Sequence, residues 1–360
     1  MAGKASKKEA LMDAVQVRVG LIGYGLSGAT FHAPLIKAIK GLRMTRVCSG
    51  NAAKVLRDFP GIAVVSEPAA LIESADVDLV VVATPNTTHY ALARQALLAN
   101  KHVVVEKPFT VTLEEGAELV ALAEQRKLLL SVYQNRRWDN DFLTVRNVIE
   151  SGLLGPVKTY EAHFDRYRPL VRARWREADL PGSGALYDLG SHLIDQALVL
   201  FGNPDSVSCD MGIQRDGGLS DDYFHLTMRY GARRVILHSA SIVRQPGPRF
   251  TVHGDLGSLV KHGLDPQEAA LLRGEGPASA GWGIEDPDLR AHLTFDKGPV
   301  SVSGRVDSVA GGYQAYYQGM VDSIAHGKAL PVSAREGLAV IKIIRLAMQS
   351  QAEQRCVAFE

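Results

Sequence analysis

The stretch Val17–Gly28, VRVGLIGYGLSG, decides the fold. Val17, Val19, Leu21 and Ile22 give a short apolar strand, and Gly23, Gly25 and Gly28 then fall as G-x-G-x-x-G. A strand that turns into a helix through such glycines can cradle a pyrophosphate. Gly23 permits the tight turn, Gly25 lets backbone approach phosphate, and Gly28 lets the helix lie close on the strand. The phosphate then meets the positive end of the helix. Phe31, Leu35, Ile36 and Ile39 continue with helical period, so strand, turn and helix are predicted in the required order. The turn residues Gly23, Tyr24, Gly25, Leu26, Ser27 and Gly28 are candidate dinucleotide contacts; a plain strand-to-helix turn is the bland alternative.

Outward from that stretch, strand and helix alternate up to about Tyr133. Met44–Cys48, Ala63–Val65, Leu79–Ala83, Val103–Val105 and Leu128–Tyr133 are predicted strands, with helices such as Thr87–Ala99 and Leu113–Gln125 between them. This grammar means a parallel sheet covered on both faces. Beyond Tyr133 a helix (Phe142–Glu150) leads into longer alternating segments, Val157–Tyr167, Tyr223–Tyr230, Arg234–Ile242 and Phe250–His253. These predict a mostly antiparallel sheet with one face under helices, closed by late helices at Tyr313–His326 and Arg335–Ala352. Gly274–Asp288, rich in Gly, Pro and Ala, reads as a surface loop. The expected organisation is a mobile tail over residues 1–14, a dinucleotide-binding unit over 15–134, and a substrate-binding and oligomerisation unit over 135–360.

Composition narrows the function. With 360 residues and 46% hydrophobic content the chain can bury a large core. A formal net charge of +1 provides no broad field for nucleic acid or a membrane surface, and neither partner is expected. Cys48, Cys209 and Cys356 are scattered without metal-ligand spacing, which suits a reduced, cytoplasmic setting and no metal.

NAD-binding units carry an acidic residue about 20 positions after the glycines, on the ribose 2′-hydroxyl. Here no Asp or Glu stands between Gly28 and Asp58. The second strand ends in Cys48-Ser49-Gly50-Asn51, with Arg43, Arg46, Lys54 and Arg57 around it. Ser49 and Asn51 with nearby cations favour NADP, with NAD possible; ordinary solvated cations are the alternative.

Three later segments carry chemistry. In ATPNTTH, Thr84, Pro85 and Asn86, with His89, follow a strand at the ligand-binding edge, and Asn86 could also cap the next helix. In VVVEKPF, Glu106 and Lys107 end a strand on that edge, where a lysine can bond a substrate hydroxyl and the nicotinamide ribose; taken alone, Glu-Lys reads as a surface ion pair. In GSGALYDLGSHLIDQ, Asp188, His192 and Asp195 share a helix face, and a carboxylate beside His supports general-base work, although a structural pair would look the same.

As a set, GYGLSG, TPNTTH, EKP and D-x-x-x-H-x-x-D resemble the glucose–fructose oxidoreductase / inositol dehydrogenase family (Gfo/Idh/MocA) from Val17 to the C-terminus. SVYQNRRWDNDFLT, YRPLVRARWRE and GALYDLGSHLIDQ resemble its branch of NADP-dependent scyllo-inositol dehydrogenases. The resemblance implies an N-terminal Rossmann domain and a C-terminal α+β domain with a large, mostly antiparallel, open-faced sheet. It implies Lys107, Asp188 and His192 as the catalytic set, His192 being the base and Asp188 its partner. That branch often has Ser-Arg after the second strand, where this chain has Ser49-Gly50.

Asn135, Arg137, Arg166, Tyr167, Trp175 and Tyr187, with Asp188 and His192, are the candidate substrate contacts, while most arginines of 166–176 read as a solvated loop. The implied activity is oxidation of a secondary hydroxyl of a cyclic polyol or sugar to a ketone, or the reverse, in a homodimer or homotetramer. An aldose or keto-sugar reductase and a non-catalytic NADP-binding regulator are the rivals.

Overall fold

The computed structural model describes residues 16–360, so the tail read at residues 1–14 lies outside it. The first unit is a six-stranded sheet of β1 (Val17–Ile22), β2 (Leu42–Cys48), β3 (Ala63–Val65), β4 (Leu79–Val82), β5 (His102–Glu106) and β6 (Leu130–Tyr133). Its order is β3-β2-β1-β4-β5-β6, and every pairing is parallel. Val19, Leu21, Val47, Val80, Val81, Val103 and Val104 are fully buried, as a sheet covered on both faces requires. The chain reverses its direction of travel across the sheet between β1 and β4. The carboxyl ends of the strands therefore open onto a crevice at that switch point.

The second unit holds β7 (Val157–His163), β8 (Ser206–Gly212), β9 (Tyr223–Tyr230), β10 (Arg233–Ala240), β11 (Phe250–Gly254), β12 (Gly257–Lys261), β13 (His292–Lys297), β14 (Val300–Arg305) and β15 (Val357–Ala358). The nine strands run β14-β13-β12-β11-β7-β10-β9-β8-β15, antiparallel except where β7 and β10 pair in parallel. Tyr160, Ala162, Phe224, Leu226, Val235 and Leu237 are buried on one face. The alternate positions Glu161, His163, Tyr223, His225, Ile236 and His238 are only partly buried on the other. β7 ends at His163 rather than Tyr167, since beyond it single backbone bonds such as Phe164 N–H to His238 O replace the continuous ladder. Gly274–Asp288 is irregular, as expected, but is tied down by buried Glu285, which accepts a bond from Lys261 Nζ at 2.6 Å.

The two units are not separable at Tyr133. The final long helix, Ala334–Glu353, packs on β6 and on the helix Leu113–Arg126 as well as on β8. Its capping box, Ser333 with Glu336, starts it beside β6, where Ser131 Oγ donates to Val332 O at 2.6 Å. The helix Gln314–His326 reaches back to the nucleotide helix through Tyr317, whose hydroxyl lies 2.6 Å from His32 Nδ1.

Candidate active site

The glycine turn has the shape a dinucleotide needs. Gly23 sits at φ +96°, closed to ordinary side chains. A Cβ on Gly28 would lie 1.9 Å from Gly23 O, so only glycine lets the helix approach the strand this closely. A Cβ on Gly25 would meet nothing within 4 Å, because this residue faces an open cleft. Helical backbone follows from residue 26, with a π turn at Gly28–His32. The fit to a pyrophosphate thus rests on shape and on the exposed backbone of Gly25, Leu26 and Ser27.

That cleft has a volume of about 480 Å³. Each strand end contributes: Gly25, Leu26 and Ser27 after β1, Ala83, Thr84 and Pro85 after β4, Glu106 and Lys107 at β5, Tyr133 and Asn135 at β6. The opposite wall comes from the second unit, with Arg166, Trp175, Arg176, Asp188 and His192. Lys107 spans the two walls. Its Nζ donates to Asp188 O at 2.8 Å and to Asp188 Oδ1 at 3.0 Å. An ammonium carries three hydrogens, so one remains for a ligand oxygen. Burial lowers the Lys107 pKa, Asp188 opposes that, and Arg176 adds to it. Burial would raise the Asp188 carboxyl, but Lys107 and Arg176 overcome it and hold the group ionised well below the usual range.

His192 lines the same cleft, and its Nδ1 is buried without a partner. Burial, then the cations Lys107, Arg136, Arg249 and Arg166, holds its pKa well below the ordinary value. The imidazole is therefore neutral and able to accept a proton. The expected Asp188–His192 pair does not form: both residues face the cleft, but Asp188 Oδ1 is taken by Lys107 and by Arg176 Nε at 3.2 Å. Asp195 is no partner either. It lies about 10 Å further along the helix axis than Asp188 and clamps Arg137, with Nε at 2.8 Å and Nη2 at 2.7 Å.

Glu106 works from below. It accepts from Ser27 Oγ, from His32 Nε2 at 3.0 Å and from the Lys107 N–H at 2.9 Å. Burial would raise this carboxyl, but the bond from His32 and the charge of Lys107 outweigh it and hold the pKa at about 2. A fixed carboxylate thus ties the glycine-turn helix to the strand that presents Lys107.

Several predicted contacts lie elsewhere. Arg137, held by Asp195 and by Glu336 at 2.7 Å, points away from the cleft. Tyr167 is exposed and stacks under Arg244 at 4.1 Å. Tyr187 donates its hydroxyl to Val111 O at 2.9 Å, outside the cleft. Asn86 neither caps a helix nor lines the cleft; its Nδ2 donates to Gly182 O at 2.7 Å and ties the two units together. His89 is buried between Pro108 O at 2.9 Å and Thr84 O at 3.0 Å, holding two cleft loops in place. Tyr24 turns its ring onto Phe59 and its hydroxyl to Asp58 at 3.1 Å, so it can offer a cofactor its backbone alone. The arginine run borders the cleft: Arg166, Arg168, Arg174 and Arg176 are partly buried, Arg172 is exposed, and all five line it. Arg136, in the segment QNRRW that follows β6, also lines it, as do Glu268 and Leu272, which no periodicity or motif marks.

At the end of β2, Ser49 Oγ accepts the Asn51 N–H at 3.1 Å, and Asn51 Oδ1 caps the helix Ala52–Asp58 through the Lys54 N–H at 3.0 Å. Of the four expected cations, Arg46 is paired with Asp76 at 2.6 Å and Arg57 with Asp58 at 2.9 Å. Arg43 pairs in register with Arg18, near the opposite end of the sheet. Lys54 remains, its Nζ 3.3 Å from Tyr24 O beside the glycine turn.

A parallel sheet with a glycine turn at its switch point, facing a lysine–aspartate–histidine cleft, defines a two-domain nicotinamide-dependent oxidoreductase. Residues 17–134 match the family model for the NAD-binding Rossmann fold of the GFO/IDH/MocA oxidoreductases, and residues 146–359 match that for their C-terminal alpha/beta domain. The chain belongs to the Gfo/Idh/MocA oxidoreductase family. It is 44% identical over 96% of its length, and 96% of the relative's, to scyllo-inositol 2-dehydrogenase (NADP(+)) IolW of Bacillus subtilis. It is 47% identical, over 93% of its length and 96% of the relative's, to the uncharacterized oxidoreductase YdgJ of Escherichia coli. Among solved structures, yvaA of Bacillus subtilis superposes with a TM-score of 0.94 at 44% identity, covering 96% of this chain and 99% of that one.

Proposed function

We propose that the protein is an NADP-dependent dehydrogenase that oxidises a secondary hydroxyl of a cyclic polyol or sugar, of the scyllo-inositol type, to a ketone, or runs the reverse reduction. The observation that carries the reading is Lys107, which lines the cleft with two contacts on Asp188, in the same cleft as a neutral His192 and the glycine turn. The similarity to IolW supports the substrate class. The acid-free stretch between Gly28 and Asp58, with Lys54 at its end, supports NADP, because a carboxylate there would repel a 2′-phosphate.

Gly25, Leu26 and Ser27 would hold the pyrophosphate, and Thr84 and Pro85 the portion beyond it. When bound, the nicotinamide supplies the hydride exchange. Lys107 bonds the reacting oxygen and stabilises the charge that develops there, and His192 accepts the hydroxyl proton. Asp188 keeps Lys107 charged and aimed, a different role from orienting the histidine. Asn135, Arg166 and Trp175 are left to hold the rest of the polyol. The uncovered face of the nine-stranded sheet supports assembly as a homodimer or homotetramer. The test is NADP reduction in the presence of scyllo-inositol, myo-inositol and a panel of aldoses, with the ketone-reducing direction run alongside. Turnover with at least one polyol or sugar, lost in Lys107→Ala, is expected; no turnover in either direction with either cofactor would overturn the reading.

A further inference from the structure

The open face of the nine-stranded sheet carries a row of histidines. β10 pairs in register with β7 on one side and β9 on the other, which sets His238 directly opposite both His163 and His225. The ring centroids lie 5.1 Å apart for His163 and His238, and 5.6 Å for His225 and His238. Just past the end of β7, Asp165 joins the row. Its Oδ2 is 3.2 Å from His163 Nδ1, and its Oδ1 is 3.6 Å from His238 Nε2. None of these residues lines the cleft.

We propose that His163, Asp165 and His238 bind a borderline divalent metal ion, of which Zn²⁺ is the type. One ligand atom from each residue lies within 4.8 Å of the others. Tetrahedral zinc with bonds of about 2.0–2.1 Å sets its ligands roughly 3.4 Å apart, so small side-chain rotations close the site. Two imidazoles and one carboxylate form the donor set that suits Zn²⁺, Co²⁺ or Ni²⁺ rather than Mg²⁺ or Ca²⁺. Water would fill the fourth position; the ring of His225 stands next in the row, 5.6 Å from that of His238.

His238 turns its Nε2 toward Asp165, so that nitrogen is the ligand atom of this ring. Asp165 is itself held in place: the Ala240 N–H donates to its Oδ1 at 3.1 Å. The inference is independent of the reaction proposed for the cleft.

The test is direct. The full chain, stripped with a chelator, is titrated with Zn²⁺ in competition with a chromogenic chelator. One equivalent per chain at micromolar affinity or better is expected. Co²⁺ in place of Zn²⁺ should give the visible absorption of a four- or five-coordinate nitrogen–oxygen site. His163→Ala and His238→Ala should each weaken binding at least tenfold, whereas His253→Ala, on an exposed histidine of β11, should not. Substoichiometric binding, or unchanged affinity in the His163→Ala/His238→Ala double variant, overturns the proposal. Where an alanine variant fails to fold, the Co²⁺ spectrum of the unaltered chain decides: an octahedral aquo-type spectrum refutes the site.

Discussion

In the proposed mechanism Lys107 bonds the reacting oxygen, and it is the first residue to test. Lys107→Ala is expected to lose turnover by about a hundredfold or more, since one lost donor to a developing oxyanion costs that much. Lys107→Arg should not restore it: the guanidinium is larger and does not fit the paired contacts on Asp188. NADP binding, measured by fluorescence titration, should change far less than turnover; a folded Lys107→Ala protein with near-native turnover would falsify the mechanism. His192 makes a pH prediction. Its folded pKa lies well below 6.5, held there by burial and surrounding cations. The oxidation rate should therefore stay level as pH falls through 6.5 and decline only in more acidic solution; an inflection near 6.5 in kcat would count against His192 as base. Acid also lowers the stability that His192 contributes. Below 6.5 the unfolded chain binds a proton that the folded one refuses, so the contribution of His192 is complete above that pH and is lost progressively as pH falls below it. Asp195 belongs to stability alone. Asp195→Ala leaves the half-buried Arg137 with Glu336 as its one remaining carboxylate partner and should cost about 1–3 kcal/mol in urea unfolding.

At the scale of elements, the glycine turn has no room for a side chain at Gly23 or Gly28. Gly28→Ala places a methyl group 1.9 Å from Gly23 O, with backbone rather than a flexible side chain in the way. The helix must then lift from β1, and NADP affinity should drop at least tenfold; an unchanged dissociation constant would show that the turn does not hold the pyrophosphate. The end of β2 decides which dinucleotide is preferred. Ser49→Asp would place a carboxylate close to Lys54 and the helix cap at Asn51. The preference should move from NADP towards NAD, read as the ratio of the two affinities, and an unmoved ratio would put the 2′-phosphate elsewhere.

The whole molecule is organised by the return of its C-terminus. Ala334–Glu353 packs on both sheets, and the Tyr317–His32–Glu106 chain links a late helix to the strand that carries Lys107. Cleft geometry and global folding are therefore coupled, and the two units should melt in one transition by calorimetry. The remaining large surface is the outer face of the nine-stranded sheet. Sedimentation at micromolar concentration is expected to show a dimer or tetramer, and a monomer would refute assembly through that face.

The nucleotide-binding unit was legible because its signals are local. Apolar runs, helical periods and glycines spaced for one backbone turn lie within a few residues of each other, and the boundaries of β3 match the sequence reading residue for residue, as do those of β9 in the second sheet. The three residues proposed to act on substrate were marked by their motifs, and Lys107, Asp188 and His192 do meet in one cleft. How they meet was not. Lys107 and Asp188 are 81 positions apart, and nothing near either residue in the chain says that the aspartate holds the lysine rather than the histidine. The same holds for charge. Arg46, Arg57 and Arg137 look as available as Lys54 or Arg166 until their carboxylate partners come into view. The alternation in β10 left both faces open, and only packing put Val235 and Leu237 inside and Ile236 and His238 outside. Local backbone preference and periodicity are written along the chain; which polar group satisfies which, and which face meets a neighbour, is set by segments far apart in sequence that folding brings together.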